Sequence, residues 1–165
     1  MGYDIHGTEP TAPEGVYFRR SNLAWPPLAA LCRELIPDIA QRCDHWTTNE
    51  GDGLDCDAAA QLAARLQQLI ADGTVADYIS QLRAMLARLP DKTCNACRGT
   101  GRIPRAVVKT VDTAPGPLDK DGNFICLACA GAGQIQQLCA PRTLDEDDVN
   151  EWVSFLQRCG GFSIR

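Results

Sequence analysis

Two short runs near the start of the chain, Gly2 to His6 and Gly15 to Arg19, are rich in Tyr, Val, Ile and Phe, with a Pro- and Gly-containing connection between them. They predict two strands of a small sheet. Pro26 and Pro27 fix backbone angles suited to a first helical turn, and Leu28, Leu31, Cys32, Leu35 and Ile36 follow at helical spacing. A helix therefore starts there and is broken or kinked at Pro37. The stretch Ile39 to Trp46 is expected to resume it, and Thr47 to Gly53 is too glycine-rich and polar to be anything but a loop.

Asp55 or Asp57 then caps a helix carrying Leu62, Leu66, Leu69 and Ile70, which Gly73 ends. Thr74 and Asp77 have capping-box spacing, and Val75, Tyr78, Ile79, Leu82, Met85, Leu86 and Leu89 hold one helical face as far as Pro90. The two helices are expected to form a hairpin. Beyond Pro90 the periodicity stops. Ile103 to Val111 reads as extended, and Asp112 to Asn123, rich in Pro, Gly and Asp, as an exposed turn or loop. A last helix starts near Thr143, with Glu146 completing a capping box. Val149, Trp152, Val153 and Leu156 form its apolar stripe, and Gly160-Gly161 ends it. The tail Phe162-Ser163-Ile164 alternates and adds a strand beside the amino-terminal pair. The pattern predicts an α+β protein: a helical body with a small β-sheet over 1–90, an inserted four-cysteine β-hairpin module over 91–140, and 141–165 returning to the body.

The insertion carries one motif written twice in register, Cys94-Asn-Ala-Cys97-Arg-Gly99-Thr-Gly101 and Cys126-Leu-Ala-Cys129-Ala-Gly131-Ala-Gly133. Two Cys-x-x-Cys turns about thirty residues apart place four sulfurs about 2.3 Å from a single ion, and zinc is the favoured metal. One structural Zn2+ on Cys94, Cys97, Cys126 and Cys129 is expected. Gly99, Gly101, Gly131 and Gly133 would supply the positive dihedrals and close approach that curl each knuckle around its sulfurs. A structural zinc contributes about 10–16 kcal/mol of folding free energy in isolated peptides, so an arm this polar is not expected to fold without it.

These residues resemble the cysteine-rich module of the DnaJ-type co-chaperones, whose defining element is CxxCxGxG. The likeness runs only from Cys94 to Gly133. That family carries four copies and a helical J-domain with a His-Pro-Asp signature, whereas this chain has two copies and no His-Pro-Asp. The resemblance implies one zinc site on a twisted pair of β-hairpins, without partnership to a heat-shock chaperone. A second likeness covers most of the chain. Its opening Met-Gly-Tyr-Asp-Ile-His, Tyr17 to Leu28, Asn49 to Leu54, both knuckles and Asp147 to Phe162 look like a group of small proteins of bacteria and tailed phages. That resemblance suggests a phage or mobile-element origin and implies no particular activity.

At 165 residues and 45% hydrophobic content, one core plus a satellite module is the expectation. No run of about 18 apolar residues occurs, and the first residues lack the basic and apolar regions of a signal peptide, so a non-membrane, cytoplasmic protein is expected. Gly2 does not make a myristoylation signal, because His6 stands where that motif requires Ser or Thr. Nine cysteines are an odd number and four are metal-spaced, which fits a reducing compartment better than a disulfide framework. Cys32, Cys43, Cys56, Cys139 and Cys159 are expected as small buried hydrophobes. Net charge is −5 with a pI of about 4.9, against a surface built throughout for phosphate.

Other clusters have a function to weigh against a plain structural role. Tyr17, Phe18, Arg19, Arg20, Asn22, Trp25 and Trp46 mix aromatics and arginine as binding hot spots do, and core packing is the competing fate of the aromatics. Arg98, Arg102, Arg105 and Lys109 would contact an anion or nucleic acid beside the first knuckle. His45 is expected to be a partly buried helical histidine, and the carboxylates from Asn49 to Asp57 a turn and helix cap, since they fail the calcium-loop pattern. No nucleophile elbow, phosphate loop or catalytic triad stands at recognised spacing, so no catalytic residue is assigned. The expectation is a non-enzymatic, zinc-stabilised module that binds another protein. If its origin is a phage or mobile element, a host enzyme or defence complex is the target to expect. One alternative is a nucleic-acid binder using the basic knuckle arm, and another a small enzyme around His45 and the Asn49 to Asp57 loop.

Overall fold

The computed structural model describes residues 2–105, 116–135 and 144–165. The chain divides into one unit of Met1–Ala84 with Pro141–Arg165 and a second of Met85–Ala140, an α+β architecture with the four-cysteine segment as an insertion. In the first unit, β1 (Gly2–Gly7) pairs antiparallel with β2 (Tyr17–Ser21), matching Ile5 with Phe18 and His6 with Tyr17. Alternation does the sorting: Ile5 and Phe18 face the core while His6 and Tyr17 face solvent. The other edge of β1 takes β8 (Phe162–Ile164), and β3 (Gly53–Leu54) closes the sheet in the order β2-β1-β8-β3. Gly53 is required there, because a Cβ would lie 1.8 Å from the Phe162 carbonyl oxygen.

Among the described residues five α-helices accompany the sheet: α1 (Trp25–Leu35), α2 (Pro37–Ala40), α3 (Cys56–Ala71), α4 (Thr74–Ala87) and α5 (Glu146–Leu156). Their apolar stripes and the inner face of the sheet meet in one core centred on aromatics. The Trp152 ring lies 5.0 Å from Phe18, 5.2 Å from Trp25 and 5.3 Å from Phe162, and Trp46 stacks on Trp25 at 6.0 Å. Burial of indole N–H groups requires acceptors, and Trp46 donates to the Ala40 carbonyl at 2.9 Å while Trp25 donates to the carbonyl of Trp46. Among the described residues no helix is long and apolar enough to cross a membrane.

Several boundaries differ from the sequence expectation for identifiable reasons. Pro13–Gly15 is a 3-10 turn, so the second strand begins at Tyr17. The helix after Pro37 stops at Ala40 instead of running to Trp46. The Trp46 indole takes up the Ala40 carbonyl, and the Asp52 carboxylate accepts the N–H groups of Asp44 and His45 at 2.7 and 2.8 Å, turning the backbone out of the helical path. Asp55 is the cap of α3, accepting from the Ala58 N–H at 2.8 Å. Thr74 is not a cap: it lies within α4, and Asp72 accepts from its N–H at 3.0 Å and its hydroxyl at 2.6 Å. The box expected on Thr143 and Glu146 is instead formed by Asp145 and Asp148, two residues later, and Thr143 is outside the described residues. The helical hairpin is also revised, since the main helical neighbour of α3 is α5 and not α4. Only Val75 and Ile79 of α4 are buried, and Met85 is 58% exposed.

Arg20 ties β2 to α5. Its guanidinium lies 4.3 Å over the Phe18 ring, its Nε is 3.4 Å from Asp148 Oδ1, and an Nη pairs with Glu151. The Arg20 and Asp148 side chains are only 15% and 12% exposed, against 65% for Glu151, so the inner pair is the less screened of the two. Replacing Arg20 with Ala is expected to lower unfolding free energy in urea by about 1.5–3 kcal/mol. Glu151→Gln is expected to change it by less than about 0.5 kcal/mol. Equal effects in denaturant titrations would contradict this division.

Candidate metal centre

In the second unit each cysteine pair sits on a tight turn flanked by two-residue strands: β4 (Lys92–Thr93) and β5 (Arg102–Ile103) around the first knuckle, β6 (Phe124–Ile125) and β7 (Gln134–Ile135) around the second. The pairing runs between knuckles, β4 with β7 and β5 with β6, so each ribbon takes one strand from each knuckle. The hydrogen bonds repeat accordingly. Cys94 N–H donates to Gly133 O at 2.9 Å and Cys126 N–H to Gly101 O at 2.9 Å; Gly99 N–H donates to Cys94 O at 3.1 Å and Gly131 N–H to Cys126 O at 3.0 Å. The two halves are related by an approximate two-fold.

That symmetry demands glycine where the halves cross. A Cβ on Gly101 would lie 2.1 Å from Gly131 O, and one on Gly133 would lie 2.2 Å from Gly99 O, with φ of +73° and +76° at the two positions. Gly99 and Gly131, also at positive φ, are the other glycines in these crossings. The residue after each second cysteine, Arg98 in one knuckle and Ala130 in the other, adopts φ of 54° and 49°.

The crossing brings four buried sulfurs together. Cys94 Sγ is 3.8 Å from Cys126 Sγ, Cys97 Sγ is 3.7 Å from Cys129 Sγ, and all four lie within 4.8 Å of one another. A disulfide requires about 2.0 Å, whereas a tetrahedron with metal–sulfur bonds of about 2.3 Å has edges of about 3.8 Å. The donor set thus fits a metal ion. Gly101 N–H donates to Cys97 Sγ at 3.2 Å and Gly133 N–H to Cys129 Sγ at 3.3 Å, an arrangement suited to metal-bound sulfur. Burial pushes the Cys97 thiol up, but the Gly101 N–H and the Cys94 and Cys129 thiols outweigh it and bring it down to about 6. Burial and the Cys129 thiol push Cys126 up to about 11. Ile103 and Ile135 pack against the sulfurs.

The other candidate residues are scattered. Phe18, Trp25 and Trp46 are buried in the body and Arg20 is held by α5, so they form no surface patch; their hydrophobic neighbours on β1, α1 and α5 claim them. Tyr17, Arg19 and Asn22 are exposed, with Tyr17 donating to Asp4 and Arg19 lying 3.5 Å from the same carboxylate. Arg98 and Arg105 are exposed, Arg102 pairs with Asp119 at 2.7 Å, and Lys109 lies outside the described residues. His45 is 53% exposed on a turn, 3.7 Å from Glu50 and 3.4 Å from Asp52, which corrects the expectation of a half-buried helical histidine. Burial and Asp52 push the nearby Cys43 thiol up to about 12, and the Asp52 carboxylate is occupied by the N–H groups of Asp44, His45 and Gly53. The Asn49 to Asp57 loop is likewise engaged structurally: Gly51 N–H donates to Ile164 O at 2.8 Å, and Asp55 caps α3.

Of the remaining cysteines, Cys32 and Cys159 are buried, and burial raises their thiols to about 12 and about 11. Cys56 is exposed at the first residue of α3, contrary to expectation, because the Asp55 cap fixes where the helix starts and turns this side chain outward. Cys139 lies outside the described residues. Sequence reasoning missed the Asp119–Arg102 pair; its signal was the turn Asp119-Lys-Asp-Gly-Asn123, in which Asp119 accepts N–H groups of Asp121 and Asn123 at 2.9 Å each.

Gly101→Ala is expected to weaken metal binding more than about tenfold in chelator competition, because backbone must move as well as adopt a costly φ. Gly122→Ala, also at positive φ but with open space around the new Cβ, is expected to stay within about threefold. Comparable losses would show that the crossing is not what the metal geometry depends on. No family model matches the chain, nor does any curated protein or solved structure.

Proposed function

We propose that Cys94, Cys97, Cys126 and Cys129 bind one zinc ion as thiolates and that the ion is structural, holding ordered a module through which the protein binds another protein. What carries the reading is the closure of the site: four buried sulfurs at tetrahedral spacing fill the coordination shell of zinc and leave no position for substrate. Thiolate sets of this geometry select zinc or iron–sulfur chemistry, and zinc suits a single centre of four separate sulfurs. The unlinked sulfurs and the buried free thiols of Cys32, Cys43 and Cys159 favour a reducing, cytoplasmic setting. Likeness to the DnaJ-type module supports the zinc assignment. The likeness to small phage and bacterial proteins points to a host enzyme or defence complex as the class of partner.

The enzyme alternative around His45 and the Asn49 to Asp57 loop is the weaker, since Asp52 and Asp55 are engaged by the backbone N–H groups of Asp44, His45, Gly53 and Ala58. The nucleic-acid alternative retains Arg98, Arg102 and Arg105, but Phe124 is the one aromatic residue in 85–140, which leaves little for base stacking.

Metal analysis of the purified chain is expected to give one zinc per molecule. All three tryptophans lie in the first unit. Chelation is therefore expected to abolish amide protection in residues 92–103 and 124–135 while tryptophan emission and the urea midpoint of the body stay unchanged. Absence of metal, or amide protection in residues 92–103 and 124–135 that survives chelation, would refute the structural assignment. For the binding role, a partner retained from a host lysate by the zinc-loaded chain and lost with Cys97→Ser is the expected result; no reproducible partner would overturn it.

A further inference from the structure

Charge is divided unequally between the two units. Residues 85–140 carry seven Lys or Arg against four Asp, a net of +3, while the remainder carries nine against seventeen acidic residues, a net of −8. A basic module carried by an acidic chain is suited to an anionic ligand.

The module has a place for one. An open groove of about 620 Å³ lies beside the first knuckle, with Ala96, Ile103 and Pro104 as apolar wall and Arg98 and Arg102 as its cations. The approximate two-fold shows which of these the metal geometry needs. Ala130 occupies the position equivalent to Arg98 with nearly the same backbone conformation, so the knuckle fold does not require an arginine. Arg98 is exposed and makes no hydrogen bond or ion pair to any described residue. Arg102 is positioned: Asp119, fixed by the N–H groups of Asp121 and Asn123, holds its Nε at 2.7 Å. The two Nη groups have no partner among the described residues and present the fork that receives a carboxylate. The Thr100 hydroxyl accepts the Arg102 N–H at 3.2 Å and donates to its carbonyl at 2.7 Å, which closes this edge of β5 to strand addition and leaves recognition to side chains.

We propose that this groove docks an extended acidic segment of a protein partner, pairing carboxylates with Arg98 and Arg102 and laying an apolar side chain against Ala96, Ile103 and Pro104. The inference rests on the protein-binding reading above. Acidic peptide is favoured over nucleic acid because the only aromatic residue of this unit, Phe124, does not line the groove, so no base-stacking platform is present.

The test is fluorescence anisotropy with the zinc-loaded full chain and three probes: a short labelled peptide of Asp, Glu and Ser around one Leu, a Lys-rich counterpart, and a single-stranded oligothymidylate. Saturable, salt-sensitive binding of the acidic peptide is expected. Arg98→Glu and Arg102→Gln should each weaken it by about tenfold, and Lys120→Glu, on the same unit outside the groove, by less than about twofold, with zinc content unchanged in every variant. No binding of the acidic peptide, an equal loss with Lys120→Glu, or tighter oligothymidylate binding through the same arginines would overturn the proposal. If the peptide fails while the wild-type chain still retains a lysate partner, only the groove assignment falls; if zinc is absent, the parent reading falls first.

Discussion

The second unit is governed by one requirement: four sulfurs must approach within 4.8 Å of one another on a backbone that, among the described residues, buries almost nothing else. Among the described residues its core consists of Cys94, Cys97, Cys126 and Cys129 with Ile103 and Ile135 against them, too little apolar surface to offset the entropy of ordering the surrounding turns. Bonds from the four sulfurs to a metal ion would supply what hydrophobic burial cannot. The glycines are the geometric counterpart, since Gly101 and Gly133 let the two knuckle backbones cross closely enough for the sulfurs to converge.

The first unit is stabilised in the ordinary way. Trp25, Trp46, Trp152, Phe18, Phe155 and Phe162 fill the space between the sheet and the helices, with the indole N–H groups of Trp25 and Trp46 placed on carbonyls. This accounts for the burial of Phe18 and Trp25, while Tyr17, Arg19 and Asn22 stay exposed. Aromatics on strands and helices that face one core are consumed by it, and the arginine among them, Arg20, is drawn in over Phe18 toward Asp148.

The metal knuckles are chemically unequal despite their shared backbone. Asn95, Arg98 and Thr100 on the first correspond to Leu127, Ala130 and Ala132 on the second, so the repeat that makes the metal site also displays a basic face and an apolar one. The sulfurs impose the symmetry, and the positions between them are free to depart from it. Specific recognition is sensibly sought in those departures, because they are the part of the module that metal binding does not constrain.

The two knuckles that bring the four cysteines together were legible in the residue order because each depends on short-range spacing alone: two residues between cysteines and glycines at fixed offsets determine each knuckle locally. The long amphipathic helices and the strand pair at the start were legible for the same reason, their periods being properties of contiguous residues. Only the folded chain decided that β4 pairs with β7, that Gly53 and Leu54 form an edge strand, and that α3 lies on α5. Each of these joins residues far apart in sequence through contacts or backbone hydrogen bonds that no local pattern encodes. The fates of Asp52, His45 and Arg20 were settled likewise, by which backbone amide, carboxylate or ring the fold brought within reach of each side chain.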